Sequence, residues 1–139
     1  MQFRIGTFIL GIIPELSGRR VTQLAAGGFH SAALLSSGDV LCWGAGVACG
    51  VGHARPLRSP TAVPGLPPVS RVACGGATTF AVGVDGSLWG WGKSATKLGT
   101  TSADVLLPSR VELPPWCHAI DVAVGAGHAV VLARVTSER

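Results

Sequence analysis

Short apolar runs punctuated by glycine organise this chain. Leu24–Ala26 and Val72–Cys74 each end at a glycine pair, where the backbone turns through φ values that other residues resist. Ser31–Leu35 and Phe80–Val84 follow, then a turn, then Val40–Trp43 and Leu88–Trp91. Asp85-Gly86 is a two-residue hairpin signal with positive φ at both positions, and Ser37-Gly38-Asp39 is a looser version of it. The proline-bearing stretches Arg55–Pro68 and Leu107–Pro115 read as connections, because a central strand rejects proline. No window keeps a helical apolar spacing free of glycine, so the pattern predicts strands and turns.

These elements recur. Val21 falls on Val69, Ala25 on Ala73, Gly27-Gly28 on Gly75-Gly76, Gly38 on Gly86 and Trp43-Gly44 on Trp91-Gly92, every pair 48 positions apart. After a slip the register returns, with Pro60 on Pro108 and Val63 on Val111. A third copy begins at Ala119, placing Gly125 on Gly75 at an offset of 50 and His128 where His30 stood. A period in the forties with several strands per unit is the signature of a propeller blade. The expected organisation is an apolar N-terminal segment or non-native leader (1–13), propeller repeats (14–133) and a polar tail (134–139). Within the repeats, 14–20 is the tail of a preceding unit, 21–68 repeat one, 69–118 repeat two and 119–133 a partial third.

Composition agrees with this reading. Hydrophobic residues are 47% of the 139, too many for a mainly disordered chain, and charged residues only 13%, about half the usual ~25%. Gly 20 and Pro 9 favour short strands and many turns, an all-β fold of one domain's length. The net charge is +4, yet the basic residues are scattered and Arg19-Arg20 is the only adjacent pair, so no sequence-specific nucleic-acid surface is indicated. Ile5–Ile13 has the length of a signal-peptide apolar region, but no small-x-small cleavage site precedes Pro14 and nine residues are too few for a bilayer of ~30 Å. Cys42, Cys49, Cys74 and Cys117 form no CxxC pair and read as small apolar residues of a reducing compartment. A cytoplasmic or nuclear setting is therefore expected.

Few residues carry candidate chemistry. His30 and His128 recur at one repeat position after a glycine turn, which explains them as strand-to-turn ties better than as catalytic bases. Cys42, Cys49, His53, Cys117 and His118 lack the close ligand pairs of a structural zinc site, so neither metal nor cofactor is expected. No phosphate loop, nucleophile elbow or dinucleotide fingerprint is present. The loop segment His53, Arg55 and Arg58 is the candidate partner contact, since loops on a rigid scaffold are where binding concentrates.

The strand-Gly-Gly-x-His segment Ala25–Leu34, the glycine turn, the Trp-Gly at Trp43-Gly44 and Trp91-Gly92, the Leu98-Gly99 pair and the following Pro…Val together resemble the regulator of chromosome condensation repeat. The resemblance implies blades of antiparallel strands from a seven-bladed propeller, roughly two to three of them here. On that basis the structural motif is Gly27, Gly28, His30, Gly38, Trp43, Gly44, Gly75, Gly76, Gly86, Trp91, Gly92, Gly125 and His128. The family's usual Asn after Trp-Gly is replaced by Gly46 and Ser94, and Thr78 stands at the place of His30. The resemblance implies a non-enzymatic protein-interaction module. One alternative is a guanine-nucleotide exchange factor for a small GTPase, associated with chromatin proteins. A second is a truncated fragment without autonomous function, self-associating through open blade edges. A photoreceptor branch of the family is disfavoured, because its chromophore Trp position holds Gly28, Gly76 and Ala126 here.

Overall fold

A computed structural model describes residues 2–5, 8–93 and 104–136, with side chains from residue 12 onward. Ser94 and Leu98-Gly99 lie outside the described residues. Two short strands, β1 (Gln2–Ile5) and β2 (Phe8–Gly11), pair with each other in antiparallel register from Gln2 opposite Gly11 to Ile5 opposite Phe8. A single 3-10 turn at Pro14–Leu16 leads into the repeats.

Each full repeat folds into a four-stranded antiparallel meander. The first blade is β3 (Val21–Ala26), β4 (His30–Leu35), β5 (Val40–Gly44) and β6 (Leu57–Ala62), in that spatial order. The second is β7 (Val69–Gly75), β8 (Thr78–Gly83), β9 (Leu88–Gly92) and β10 (Val105–Val111). The third copy contributes a two-stranded sheet, β11 (Cys117–Val124) with β12 (Ala129–Val135). All pairings are antiparallel, so the fold is all-β.

The proline-bearing stretches differ from the sequence reading. Pro60 and Pro108 sit inside strands β6 and β10, not in connections. Both strands are the outermost of their blades, where one side has no neighbour and a missing N–H interrupts no central ladder. The ladder slips at Cys42/Gly44 in the first blade and at Val105/Ser109 in the second, which accommodates the irregular edge.

Blades stack face to face, and the repeated glycines allow it. Gly38 and Gly86, with φ of 91° and 85°, close the β4–β5 and β8–β9 hairpins, but Asp85 does not take the positive φ expected of it, because the turn runs from Gly83 to Gly86 and is longer than two residues. They also lie against the following blade. A Cβ on Gly38 would stand 3.0 Å from Pro68, and one on Gly86 would stand 2.7 Å from His118. That approach lets Val69 donate its N–H to Gly38 O at 3.0 Å and Ala119 donate to Gly86 O at 2.9 Å, the same inter-blade bond twice. Nearer the inner strands, Val72 N–H donates to Gln23 Oε1 at 2.9 Å and Gly28 N–H to Gly76 O at 2.8 Å.

The core divides by junction. Between blades one and two lie Ala32, Leu34, Val40, Cys42, Cys49, Val69, Val72, Ala81 and Trp91. Between blades two and three lie Phe80, Val82, Leu88, Ala119 and Val122. Burial at equivalent positions therefore depends on what stacks in front. Val72 is 2% exposed, whereas its counterpart Leu24 is 67% exposed. Trp91 is fully buried against Gly50 of the first blade's loop, while Trp43 is only half-buried beside Ile13 and Leu24.

Trp91→Ala is expected to destabilise the full chain by about 3–5 kcal/mol, the usual cost of emptying a large core site. Trp43→Ala, at the same repeat position, is expected to cost less than half as much. Urea unfolding followed by far-ultraviolet circular dichroism measures both; equal losses would mean that blade stacking does not set the burial of this position.

Candidate functional site

Two places collect polar and reactive side chains: the buried junction between the first two blades, and the loop rim above it. At the junction His30 begins β4, is 4% exposed, and its Nε2 lies 2.8 Å from Thr79 Oγ1 on β8 of the next blade. Thr79 Oγ1 donates to Ala48 O at 2.8 Å, which leaves it to accept from the His30 ring. Ala48 lies in the 3-10 turn Gly46–Ala48 that follows β5. His30 is thus more than a strand-to-turn tie, because its ring crosses to the neighbouring blade. His128, its repeat counterpart, is exposed, with no further sheet in front of it among the described residues. Thr78, aligned with His30, is fully buried, and its Oγ1 has no hydrogen-bond partner among the described residues. The blade-crossing bond is instead received by Thr79, one position on.

The same turn brings cysteines together. Cys42 in β5 directs its thiol to Cys49 Sγ at 2.6 Å, and Cys74 Sγ lies 3.9 Å from Thr79 Oγ1. All four cysteines are free thiols, and Cys42 and Cys49 are fully buried. Burial pushes the Cys74 thiol up to about 12. Among the described residues no group of three or more His, Cys, Asp or Glu side chains could hold a metal ion.

On the rim, Ala45 N–H donates to Phe29 O at 2.9 Å, joining the β3–β4 loop to the segment leaving β5. A Cβ on Gly46 would collide with the Arg55 carbonyl, so this glycine lets the 53–56 loop lie flat on the turn. His53 Nδ1 accepts the Arg55 N–H at 3.1 Å and shapes that loop. Of the three predicted contacts, half-buried His53 and exposed Arg55 share the rim, while exposed Arg58 lies on the edge strand β6. The sequence reading missed Phe29, which is 88% exposed on the β3–β4 loop that Ala45 joins to this turn. A lone Phe after a glycine pair carries no signal of exposure, and only the turn geometry turns it outward. No Asp or Glu occurs between Asp39 and Asp85, so this rim is free of acidic groups from its own segment.

The opposite rim differs. A cleft of about 590 Å³ between blades two and three is lined by Arg71, Asp85, His118 and Arg134. Hydrogen bonds from the Ser87 hydroxyl and amide hold the Asp85 carboxyl below its ordinary value. Two arginines and a carboxylate make this cleft electrostatically mixed.

The His30–Thr79 contact is expected to show a coupling of about 1 kcal/mol in a double-mutant cycle of His30→Ala with Thr79→Val. Unfolding free energies of the four proteins measure it, and strictly additive losses would show that the bond across the junction contributes nothing.

Residues 21–50 and residues 37–82 each match a family model described as the regulator of chromosome condensation (RCC1) repeat. The RCC1 domain-containing protein RUG3, mitochondrial, of Arabidopsis thaliana is 34% identical over 134 residues, covering 86% of this chain and 30% of that protein. The X-linked retinitis pigmentosa GTPase regulator homolog of Caenorhabditis elegans is also 34% identical, covering 85% of this chain and 9% of that protein. The chain therefore spans less than a third of the length of either relative. Among solved structures, human WBSCR16 superposes with a TM-score of 0.76 at 32% identity, over 83% of this chain and 31% of that one. Prp20p of Saccharomyces cerevisiae superposes at 0.75 and 24% identity, over 88% and 32%, which supports the fold alone. The recurring motif, the matching models and the superposed blades show that residues 21–82 of this chain carry regulator of chromosome condensation repeats.

Proposed function

We propose that this chain is a non-enzymatic protein-interaction module that engages an acidic protein segment through the rim formed by Phe29, His53 and Arg55, with Arg58 at its border. The observation that carries the reading is Phe29, an aromatic ring 88% exposed on a loop that the blade holds rigidly from below. Exposed aromatics beside arginine supply the contacts that dominate protein interfaces. The segment from position 40 to 84 contributes arginines and no carboxylate to this rim. Position favours the rim as well. The sheet faces at Leu24 and at Val130 and Leu132 are exposed along the stacking direction, where the longer relatives have room for further blades, and the rim loops project away from it.

A second reading, action on a small GTPase, draws on the GTPase regulator named among the relatives. Exchange is driven by a partner-binding face and needs no acid–base pair, so the two readings share a surface and differ in outcome. A cytoplasmic or nuclear location forms part of the proposal. Among the described residues, no helix is long and apolar enough to cross a membrane.

The test is selection of binders from a displayed library of acidic peptides on the full chain, followed by affinity measurement on variants. Phe29→Ala and Arg55→Glu are each expected to weaken binding by about tenfold or more, the effect of a hot spot, while Arg71→Glu and Arg134→Glu on the opposite rim leave it unchanged. Binders lost only with Arg71 and Arg134 would move the site to the cleft and overturn the rim. Labelled-nucleotide release from a small GTPase above background, abolished by Phe29→Ala, would favour the second reading.

A further inference from the structure

Cys42 and Cys49 are seven positions apart, a spacing that matches no metal or redox motif. The fold removes that separation. The chain leaves β5, passes through the Gly46–Ala48 turn and folds back, so Cys49 ends beneath the strand that carries Cys42. The two sulfurs stand 2.6 Å apart with no exposed surface on either residue. The fold therefore seats the two free thiols in direct contact. We propose that Cys42 and Cys49 form a modification site, at which a hydroperoxide converts the two thiols into one reversible disulfide.

The neighbours assign the roles. Cys42 donates its S–H to Cys49, and this bond holds the Cys49 thiol below its ordinary value against the opposing effect of burial. The same bond, together with burial, raises Cys42. Cys49, which follows the turn and leads into the loop, is the thiol oxidised first, and Cys42, within the paired strand β5, is the resolving thiol. Cys74, raised by burial and directed to Thr79, stays out of the exchange.

Neither sulfur is exposed in the closed fold, so in the first step local opening of the 46–49 turn admits the peroxide and the Cys49 thiolate attacks one of its oxygens. The O–O bond breaks, Cys49 becomes a sulfenic acid, and the other oxygen leaves as water after taking up a proton. In the second step Cys42 sulfur attacks Cys49 sulfur, the S–O bond breaks, and a second water leaves with the Cys42 proton. Two thiols and one hydrogen peroxide thus give one disulfide and two waters. The bond would tie the turn to its strand, and Ala48 of that turn accepts the Thr79 hydroxyl that also meets His30. Oxidation therefore acts on the junction between the first two blades.

The experiment treats the full folded chain with hydrogen peroxide, alkylates the remaining thiols and digests with trypsin. Cys42 and Cys49 share the peptide 21–58, Cys74 lies in 72–93 and Cys117 in 111–134. The expected result is a 21–58 peptide lighter by about 2 Da and free of alkyl groups, with the other two peptides alkylated, and full reversal by a thiol reductant. Cys49→Ala is expected to leave Cys42 unoxidised, and the urea-unfolded chain to give mixed pairings. An alkylated 21–58 peptide, a link to Cys74 or Cys117, sulfinic acid without a disulfide, or the same products from folded and unfolded chain would each overturn the proposal.

Discussion

Where two blades of this chain meet, each covers the apolar face that the other turns toward it. The stacking of blade on blade is the constraint from which the rest follows. It requires backbones to meet closely, so glycine stands at Gly38 and Gly86, where any side chain would strike Pro68 or His118. Once the blades meet, the peptide groups at the contact need partners, and the repeated bonds from Val69 to Gly38 and from Ala119 to Gly86 supply them. The hydrophobic effect provides the drive, since Val72, Phe80 and Trp91 lose nearly all contact with water at these junctions.

The same constraint explains why identical motif positions have different environments. Trp43 and Trp91 are equivalent in the repeat, as are Leu24 and Val72, His30 and His128. In each pair the buried member has a blade in front of it and the exposed member does not. In a repeat architecture a residue's burial belongs to the interface between units more than to the unit itself. The polar network His30–Thr79–Ala48 follows this rule, because it exists only where two blades face each other. The Cys42–Cys49 contact sits directly beneath it, so a change in the cysteines would reach the junction by a short route.

Function on such a scaffold belongs to what the stacking does not consume. The edge strands carry prolines that interrupt their outer ladder, and the end faces serve stacking, which leaves the loop rims. One rim carries an exposed aromatic, a histidine and an arginine on segments that themselves hold no carboxylate; the other mixes arginines with Asp85. That difference in chemistry is the reason the proposed acidic partner is assigned to the first rim.

The repeat period, the positions of the glycine turns, the all-β class and the family were legible from residues alone. These depend on local geometry: positive φ at Gly38 and Gly86, alternation along short strands, and motif elements recurring at one spacing. The sequence misplaced the proline stretches, because a rule against proline in central strands is silent about edges, and which strand is an edge is settled by pairing order. It also placed Arg58 in a loop and passed over Phe29, whose exposure depends on how the β3–β4 turn meets Ala45. Only the tertiary structure carried His30 across to Thr79 and closed seven positions of chain between Cys42 and Cys49 to a sulfur contact. Contacts between units depend on distances in space that a linear spacing does not encode.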